Sequence, residues 1–383
     1  MGLPPCESAE SSRRVFSVSN PFGGGPVGAP AAAQDTKMQR LLTTTQAGAD
    51  AMLVLLGETC LDRPDCLDRL TTLFNGYCDC PPVAFVLTGN FLGPSANGRS
   101  YPERVSSLRQ LLIQLIMVYK NAFPDIDTLS PSRCPHLILV PGPTDPVCAP
   151  SSILPRPGFP FRLFSDILDG RRVGNDAAVK CPPWLHLTSN PCRLRLYTRE
   201  IVVFRAEYSR LLIRHCIHLP AFSEPLDDAV TSIDLQQDSE TQLPESQRSG
   251  DENTPTDDNS STSVRAPKPK TPAERLGAGL ARCLASQAHL LPLMGHIAPV
   301  YWAFDQALSL QPLPDLVVAV EPQSLADLNS TTANPIQTGN CRFINPDQFG
   351  RTVLAESTGL RTEYAFKVYY PLTGVVENSR LPD

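Results

Sequence analysis

Short apolar runs alternate with amphipathic segments along the first 140 residues. The runs at 52–57, 83–88 and 136–140 end at a glycine or just before a proline-glycine pair, and their composition predicts buried strands. Residues 62–76 and 101–123 carry apolar side chains at helical spacing, so a helix is predicted after each of the first two strands. Strands that alternate with helices indicate a largely parallel, doubly wound sheet.

The periodicity changes after residue 157. Residues 184–188, 192–197 and 200–204 are short strand candidates, and the tight turn near Thr198 and Arg199 is typical of a hairpin. Helices are predicted near 207–216 and 272–288, and further strands at 315–320, 341–345 and 364–370. We expect these later strands to supply the other part of a two-layered, sandwich-like arrangement.

Two segments lack the apolar content of a folded domain. Residues 1–50 are rich in Gly, Ala, Pro, Ser and Thr, which predicts a flexible arm or linker. Residues 223–271 carry 11 acidic but only 4 basic residues among many Ser, Thr and Pro, which predicts a disordered acidic insertion. We therefore expect one α/β domain that consists of residues 51–222 and 272–383.

Composition narrows the class of protein. The chain has 383 residues, 42% of them hydrophobic, and no apolar run approaches the roughly 18 residues of a membrane span. The twelve cysteines are scattered without a Cys-x-x-Cys pair or a secretion signal, which favours free thiols in an intracellular protein. Outside the acidic insertion there are 28 acidic and 29 basic residues, so the folded part lacks the basic excess of an autonomous DNA-binding protein.

Polar or turn-forming residues follow three of the predicted strands directly. The carboxyl ends of parallel strands meet at one edge of a sheet, which is where open α/β sheets bind their ligands. The first strand is followed by Glu58 and Cys60, the second by Gly89, Asn90 and Phe91, and the third by Pro141, Gly142, Pro143, Thr144 and Asp145.

This serial arrangement resembles that of the calcineurin-like metallophosphoesterases. In those enzymes Asp-x-His, Gly-Asp and Gly-Asn-His-Asp/Glu motifs hold two metal ions that bind phosphate and activate water. The former ligand positions here are Glu58 for Asp, Cys60 for His, Asn90 for the bridging carboxylate, Pro143 and Thr144 for Asn and His, and Asp145, which alone is retained in type. Two cations without their bridging anion would repel each other, so the resemblance implies no catalytic residue, no metal and no cofactor.

Further short motifs occur in a fixed order along the chain. Besides Gly89, Asn90, Phe91, Pro141, Gly142 and Asp145, the set contains Asn190, Pro191, Cys192 and Arg193, and then Tyr301 and Trp302. Together they resemble the B-subunit family of the eukaryotic replicative DNA polymerases alpha, delta and epsilon, and most of all its epsilon branch. The resemblance implies an inactivated calcineurin-like phosphoesterase fold, which is a layered α/β/β/α sandwich of mixed sheets.

The same resemblance implies a function. Members of this family are non-catalytic accessory subunits, so the chain is expected to act in the nucleus as a scaffold for the zinc-containing C-terminal region of the polymerase epsilon catalytic subunit. Contacts with other holoenzyme subunits are expected. The chain is expected to contact DNA through the complex, with weak or absent binding alone, and not to bind membranes. Residues 20–25 resemble the segment after the family's oligonucleotide-binding domain, so residues 1–50 are expected to be a remnant that follows a missing domain of that type.

Two other functions, and the roles of two short motifs, stay open from the residues themselves. The chain could be a divergent metallophosphoesterase that uses Glu58, Cys60, Asn90, Asp145 and His289, or a B subunit of polymerase delta. The Asn-Pro-Cys-Arg string fits a structural turn better than a binding motif, since Asn-Pro initiates turns. Tyr301, Trp302 and Phe304 fit an exposed docking patch and ordinary core packing equally well.

Overall fold

Two β-sheets lie face to face, and helices cover the outer surface of each. The computed structural model describes residues 29–129, 134–146, 153–164, 181–215, 272–322, 336–355 and 359–382. The predicted acidic insertion at 223–271 and the first 28 residues of the predicted arm lie outside the described residues. The arrangement of two sheets with outer helices confirms the layered α/β sandwich that the motif resemblance implied.

The first sheet is mixed and contains the three strands predicted at the start of the chain. Its strands are β1 (Leu53–Thr59), β2 (Ala84–Thr88), β3 (His136–Val140), β4 (Leu185–Leu187), β10 (Gln348–Phe349), β13 (Ala365–Tyr369) and β14 (Val376–Arg380). Their order is β14-β13-β1-β2-β3-β4, and β10 pairs with the end of β1. Strands β1 to β4 are parallel, whereas β13 and β14 run antiparallel to their neighbours.

The second sheet has the order β5-β6-β7-β9-β8. Its strands are β5 (Cys192–Leu196), β6 (Arg199–Arg205), β7 (Leu316–Val320), β8 (Ile336–Thr338) and β9 (Cys341–Ile344). The predicted hairpin is confirmed, because β5 and β6 pair antiparallel across the turn at Thr198. A separate hairpin joins β11 (Arg351–Ala355) to β12 (Gly359–Glu363).

Most of the helices lie on the outer faces of the sheets. They are α1 (Ala29–Thr44), α2 (Gln46–Ala49), α3 (Cys66–Gly76), α4 (Tyr101–Ala122), α5 (Ser209–His215) and α6 (Pro272–Gln287). The apolar stripe predicted for α4 is buried at Leu108, Leu112 and Tyr119. None of the helices in the described ranges is long and apolar enough to cross a membrane.

Residues 29–50 of the predicted arm are largely helical, because they contain α1 and α2. An alanine-rich start favours a helix, since Ala loses no side-chain entropy there. Leu42 is fully buried, and Gln39 accepts a 2.7 Å hydrogen bond from the hydroxyl of Thr198 in the β5–β6 turn. This segment therefore contacts the turn between β5 and β6 of the second sheet.

Three apolar layers hold the sandwich together. One lies between the first sheet and α3 and α4, a second between the second sheet and α5 and α6, and a third between the two sheets. The middle layer contains Val86 of β2 and Val203 of β6, both almost fully buried. Because the two sheets are pressed together along this layer, the ends of their central strands meet at a common edge.

Candidate functional site

The carboxyl ends of β1, β2, β3 and β6 meet at one edge of the sandwich. The parallel register of the first sheet brings the residues after β1, β2 and β3 together there, as the sequence predicts. Buried polar side chains are concentrated at this edge, which also receives the end of β6 from the second sheet. They are Glu58, Asn90, Asp145, Arg156, Asn190 and Arg205.

Glu58 forms an ion pair with Arg205 of the opposite sheet. The Nη2 atom of Arg205 donates to Oε2 of Glu58, and the two side chains are 0% and 9% exposed. The amide of Asn90 lies 3.4 Å from the same oxygen, and the thiol of Cys60 lies 3.7 Å from Oε1. The carboxylate at the end of β1 thus faces a guanidinium cation of the opposite sheet.

Arg205 is held in place through its own backbone. Asn190 accepts a hydrogen bond from the backbone N–H of Arg205 at 3.1 Å and donates one to its carbonyl at 2.7 Å. Two other guanidinium nitrogens of Arg205, Nε and Nη1, are buried without a hydrogen-bond partner among the described residues. Burying a cation is costly unless it is paired, so the ion pair with Glu58 offsets the cost of burying Arg205.

Asn90 and Asp145 connect the second strand end to the third. The Asp145 carboxylate accepts backbone N–H bonds from Phe91 at 2.9 Å and from Gly142 at 2.8 Å, with a weaker contact from Leu92 at 3.4 Å. The side-chain carbonyl of Asn90 accepts the N–H of Thr144 at 2.9 Å. Both side chains are therefore used to join two loops.

Asn190 and Arg156 brace the same edge from a third side. The two residues exchange backbone hydrogen bonds of 2.8 and 2.9 Å. The guanidinium of Arg156 donates to the carbonyl of Pro143 at 2.9 Å and to that of Asp145 at 2.6 Å. Pro141 and Gly142 follow β3 at this edge, and the peptide bonds preceding Asn90 and Pro191 are both cis.

Cys192 and Arg193 of the Asn-Pro-Cys-Arg string make internal contacts. Cys192 is buried in the layer between the sheets. Arg193 donates to the carbonyl of Ser309, and burial lowers the pKa of its guanidinium to about 10. These contacts favour the structural interpretation of the string over a binding motif.

Cys60 and His289 are the remaining candidate ligands of the phosphoesterase hypothesis. Burial, with the nearby charge of Glu58 as a second cause, raises the pKa of the Cys60 thiol to about 12, so the thiolate that metals prefer is disfavoured. The Nε2 atom of His289 lies 3.3 Å from Asp305, and its Nδ1 atom accepts the N–H of Leu291, so neither contact involves Glu58. Within the described ranges, no three His, Cys, Asp or Glu side chains are arranged to hold a metal ion.

The aromatic residues near position 302 lie on the surface. Trp302 is 76% exposed, Phe304 62% and Tyr301 41%. Met294 is 69% exposed. The next residue, Gly295, lies near the Trp302 ring, since a Cβ atom added to it would be 3.9 Å from that ring. Of the two interpretations of this segment, the structure favours an exposed patch over core packing.

The buried carboxylate of Asp145 predicts a specific pH dependence. Burial raises the pKa of Asp145 to about 6, because its effect is larger than that of the three N–H donors and Arg156, which lower the pKa. The native state then holds a proton more tightly than the unfolded chain does, so this group's contribution to stability is greatest below about pH 4 and declines as the pH rises to 6. In urea unfolding between pH 4 and 6.5, we expect the wild-type chain to lose about 2 kcal/mol relative to Asp145→Asn, in which that group does not titrate. Parallel pH profiles of the two proteins would contradict this expectation.

The comparisons with known proteins agree with the motif resemblance. Residues 53–326 match the family model of the DNA polymerase alpha/epsilon B subunit. The chain belongs to this family. Similar relatives include proteins named DNA polymerase epsilon subunit 2 from Bos taurus (27% identical over 380 residues) and Homo sapiens (28% over 382 residues), each matched over 99% of this chain and 54% of the relative. A protein of the same name from Drosophila melanogaster is 28% identical over 383 residues, with 100% of this chain and 54% of the relative covered.

The chain therefore spans about half the length of the relatives that it matches.

Sequence reasoning located Glu58, Asn90 and Asp145 at one edge but missed Arg205, which neutralises the first of them. A signal was present, because Arg205 ends the apolar run Ile-Val-Val-Phe of β6, where a charge requires a partner. The identity of that partner could not be inferred from the strand itself.

Proposed function

We propose that this chain serves as a non-catalytic accessory B subunit of the DNA polymerase epsilon complex in the nucleus. The names of the similar proteins support the assignment to an epsilon complex. The internal ion pair between Glu58 and Arg205 is the observation that supports the absence of catalysis. In this proposal the domain is a degenerate metallophosphoesterase retained as a rigid scaffold.

The chemistry of the strand ends supports this degenerate state. A two-metal phosphoesterase needs several anionic or imidazole ligands around both cations. Here Glu58 is neutralised by Arg205, Asn90 is uncharged, and the Asp145 carboxylate is saturated by backbone N–H groups. A divalent cation in this position would also be repelled by the buried guanidinium.

The proposed partner is the zinc-containing C-terminal region of the catalytic subunit. The exposed apolar patch formed by Met294, Tyr301, Trp302 and Phe304 is a candidate for this contact, since exposed clusters of large apolar side chains mark interaction sites. Other holoenzyme subunits are further proposed partners. The near-neutral charge of the folded part supports DNA contact through the complex instead of through this chain alone.

Co-expression of the full chain with the C-terminal region of the epsilon catalytic subunit tests the proposal. We expect the two to elute as one complex, and Trp302→Ala to weaken it about tenfold or more while unfolding like the wild type. Met117→Ala is the matched control, because Met117 is 50% exposed on α4 and outside the patch. With bis-p-nitrophenyl phosphate and Mn²⁺ we expect no hydrolysis above the blank. Hydrolysis that disappears in Asp145→Ala would instead support the phosphoesterase hypothesis.

A further inference from the structure

A polar cavity lies at the opposite edge of the sandwich from Glu58 and Arg205. It has a volume of about 260 Å³ and lies where β7 and β9 begin, beside the loop between β13 and β14. Arg199, Asp315 and Arg342 provide the charged groups of its lining, and the buried Tyr369 lies among them. None of these residues takes part in the site described above.

Arg342 is held in place by a glycine. Its Nη1 atom donates to the carbonyl of Gly374, a residue with a backbone φ of +70°. A Cβ atom on Gly374 would lie only 1.9 Å from that nitrogen, so the guanidinium occupies space that a side chain would otherwise fill. The contact with one carbonyl leaves other N–H donors of Arg342 available toward the cavity.

Arg199 is fixed by the same loop. Its Nε atom donates to the carbonyl of Pro371 at 2.9 Å, and its Nη1 atom lies 3.3 Å from Asp315. Asp315 is itself fixed, because it accepts the backbone N–H of Glu200 at 2.9 Å. Both guanidinium groups therefore have positions set by backbone contacts before any ligand arrives, which lowers the entropic cost of binding.

The charges of the lining do not cancel. Asp315 neutralises Arg199, whereas Arg342 has a carbonyl and no carboxylate as its partner among the described residues. One fixed positive charge thus remains, and a monoanionic carboxylate balances it where a phosphate dianion would exceed it. We propose that this cavity binds the carboxylate side chain of an acidic segment of a protein partner, with Arg342 as the principal donor and Arg199 as the second.

The test measures the binding of a fluorescein-labelled peptide of alternating Glu and Gly residues to the full chain by anisotropy at low salt. We expect saturable binding that weakens as salt rises, and no binding of the matching Gln-Gly peptide. Arg342→Gln is expected to weaken binding about tenfold, as the loss of a charge-assisted bond predicts. Binding of the Gln-Gly peptide with equal affinity, or of a phosphothreonine peptide more tightly than the Glu peptide, would overturn the carboxylate assignment.

Two further variants separate the cavity from general surface charge. Gly374→Ala keeps every charge but displaces the Arg342 guanidinium, so it is expected to weaken binding about as much as Arg342→Gln. Arg380→Gln is the control, because Arg380 is 70% exposed on β14 and lies outside the cavity. Thermal unfolding shows which variants are folded. Arg342→Lys is used in place of a cavity variant that does not fold. Equal losses in Arg380→Gln and Arg342→Gln would contradict the proposal.

Discussion

Replacing Arg205 by methionine is expected to destabilise the folded chain by about 4 kcal/mol, because the buried Glu58 would lose its counter-charge. The side chains are 0% and 9% exposed, so water cannot replace the lost partner without opening the edge of the sandwich. Methionine keeps an unbranched apolar stem and has nearly the volume of arginine, so packing between β6 and β1 is largely kept. The effect would thus report the unpaired charge more than a cavity.

Denaturant unfolding of three variants measures this effect. The double variant Glu58→Gln, Arg205→Met removes both charges and is expected to recover most of the lost stability, since an uncharged pair leaves no buried ion. Arg380→Gln, whose side chain is 70% exposed, is expected to change the free energy of unfolding by less than about 0.5 kcal/mol. If Arg205→Met were as stable as the wild type, the ion pair would not be needed to offset the buried charge of Glu58.

Replacing Gly57 by alanine is expected to cost about 3 kcal/mol or more. A Cβ atom there would lie 1.6 Å from the carbonyl oxygen of Asp347, which is backbone and cannot rotate away. The same carbonyl accepts the N–H of Glu58 at 3.0 Å, and β10 pairs with β1 immediately beyond it. The substitution would therefore separate β10 from β1 and disturb the position of Glu58.

Gly76→Ala is the matched control for this prediction. Gly76 ends α3 with open space around its Cα and with no positive φ, so alanine is expected to leave stability unchanged or raise it by up to about 1 kcal/mol. Urea unfolding of both variants under one set of conditions is the measurement. Equal midpoints for Gly57→Ala and Gly76→Ala would show that the close approach of Asp347 is not structurally important.

The elements with the clearest apolar patterns were predictable from the sequence. Strand β3 was predicted with its observed bounds, and β1, β2, β7 and α4 to within two residues, because both faces of those strands and one stripe of the helix are apolar. Strands β8, β10, β11, β12 and β14 were missed. Strand β14, for example, has one buried residue in five and reads as a polar loop, since it lies at the edge of its sheet.

The sequence by itself determined that Glu58, Asn90 and Asp145 would meet at one edge, because parallel strands of one sheet place their carboxyl ends together. Only the tertiary structure decided what those side chains contact. Arg205 is 147 residues from Glu58 and belongs to the other sheet, so their pairing depends on how two sheets pack and not on any local pattern. The same packing decides that the Asp145 carboxylate binds backbone N–H groups, so that it joins two loops at this edge of the sandwich.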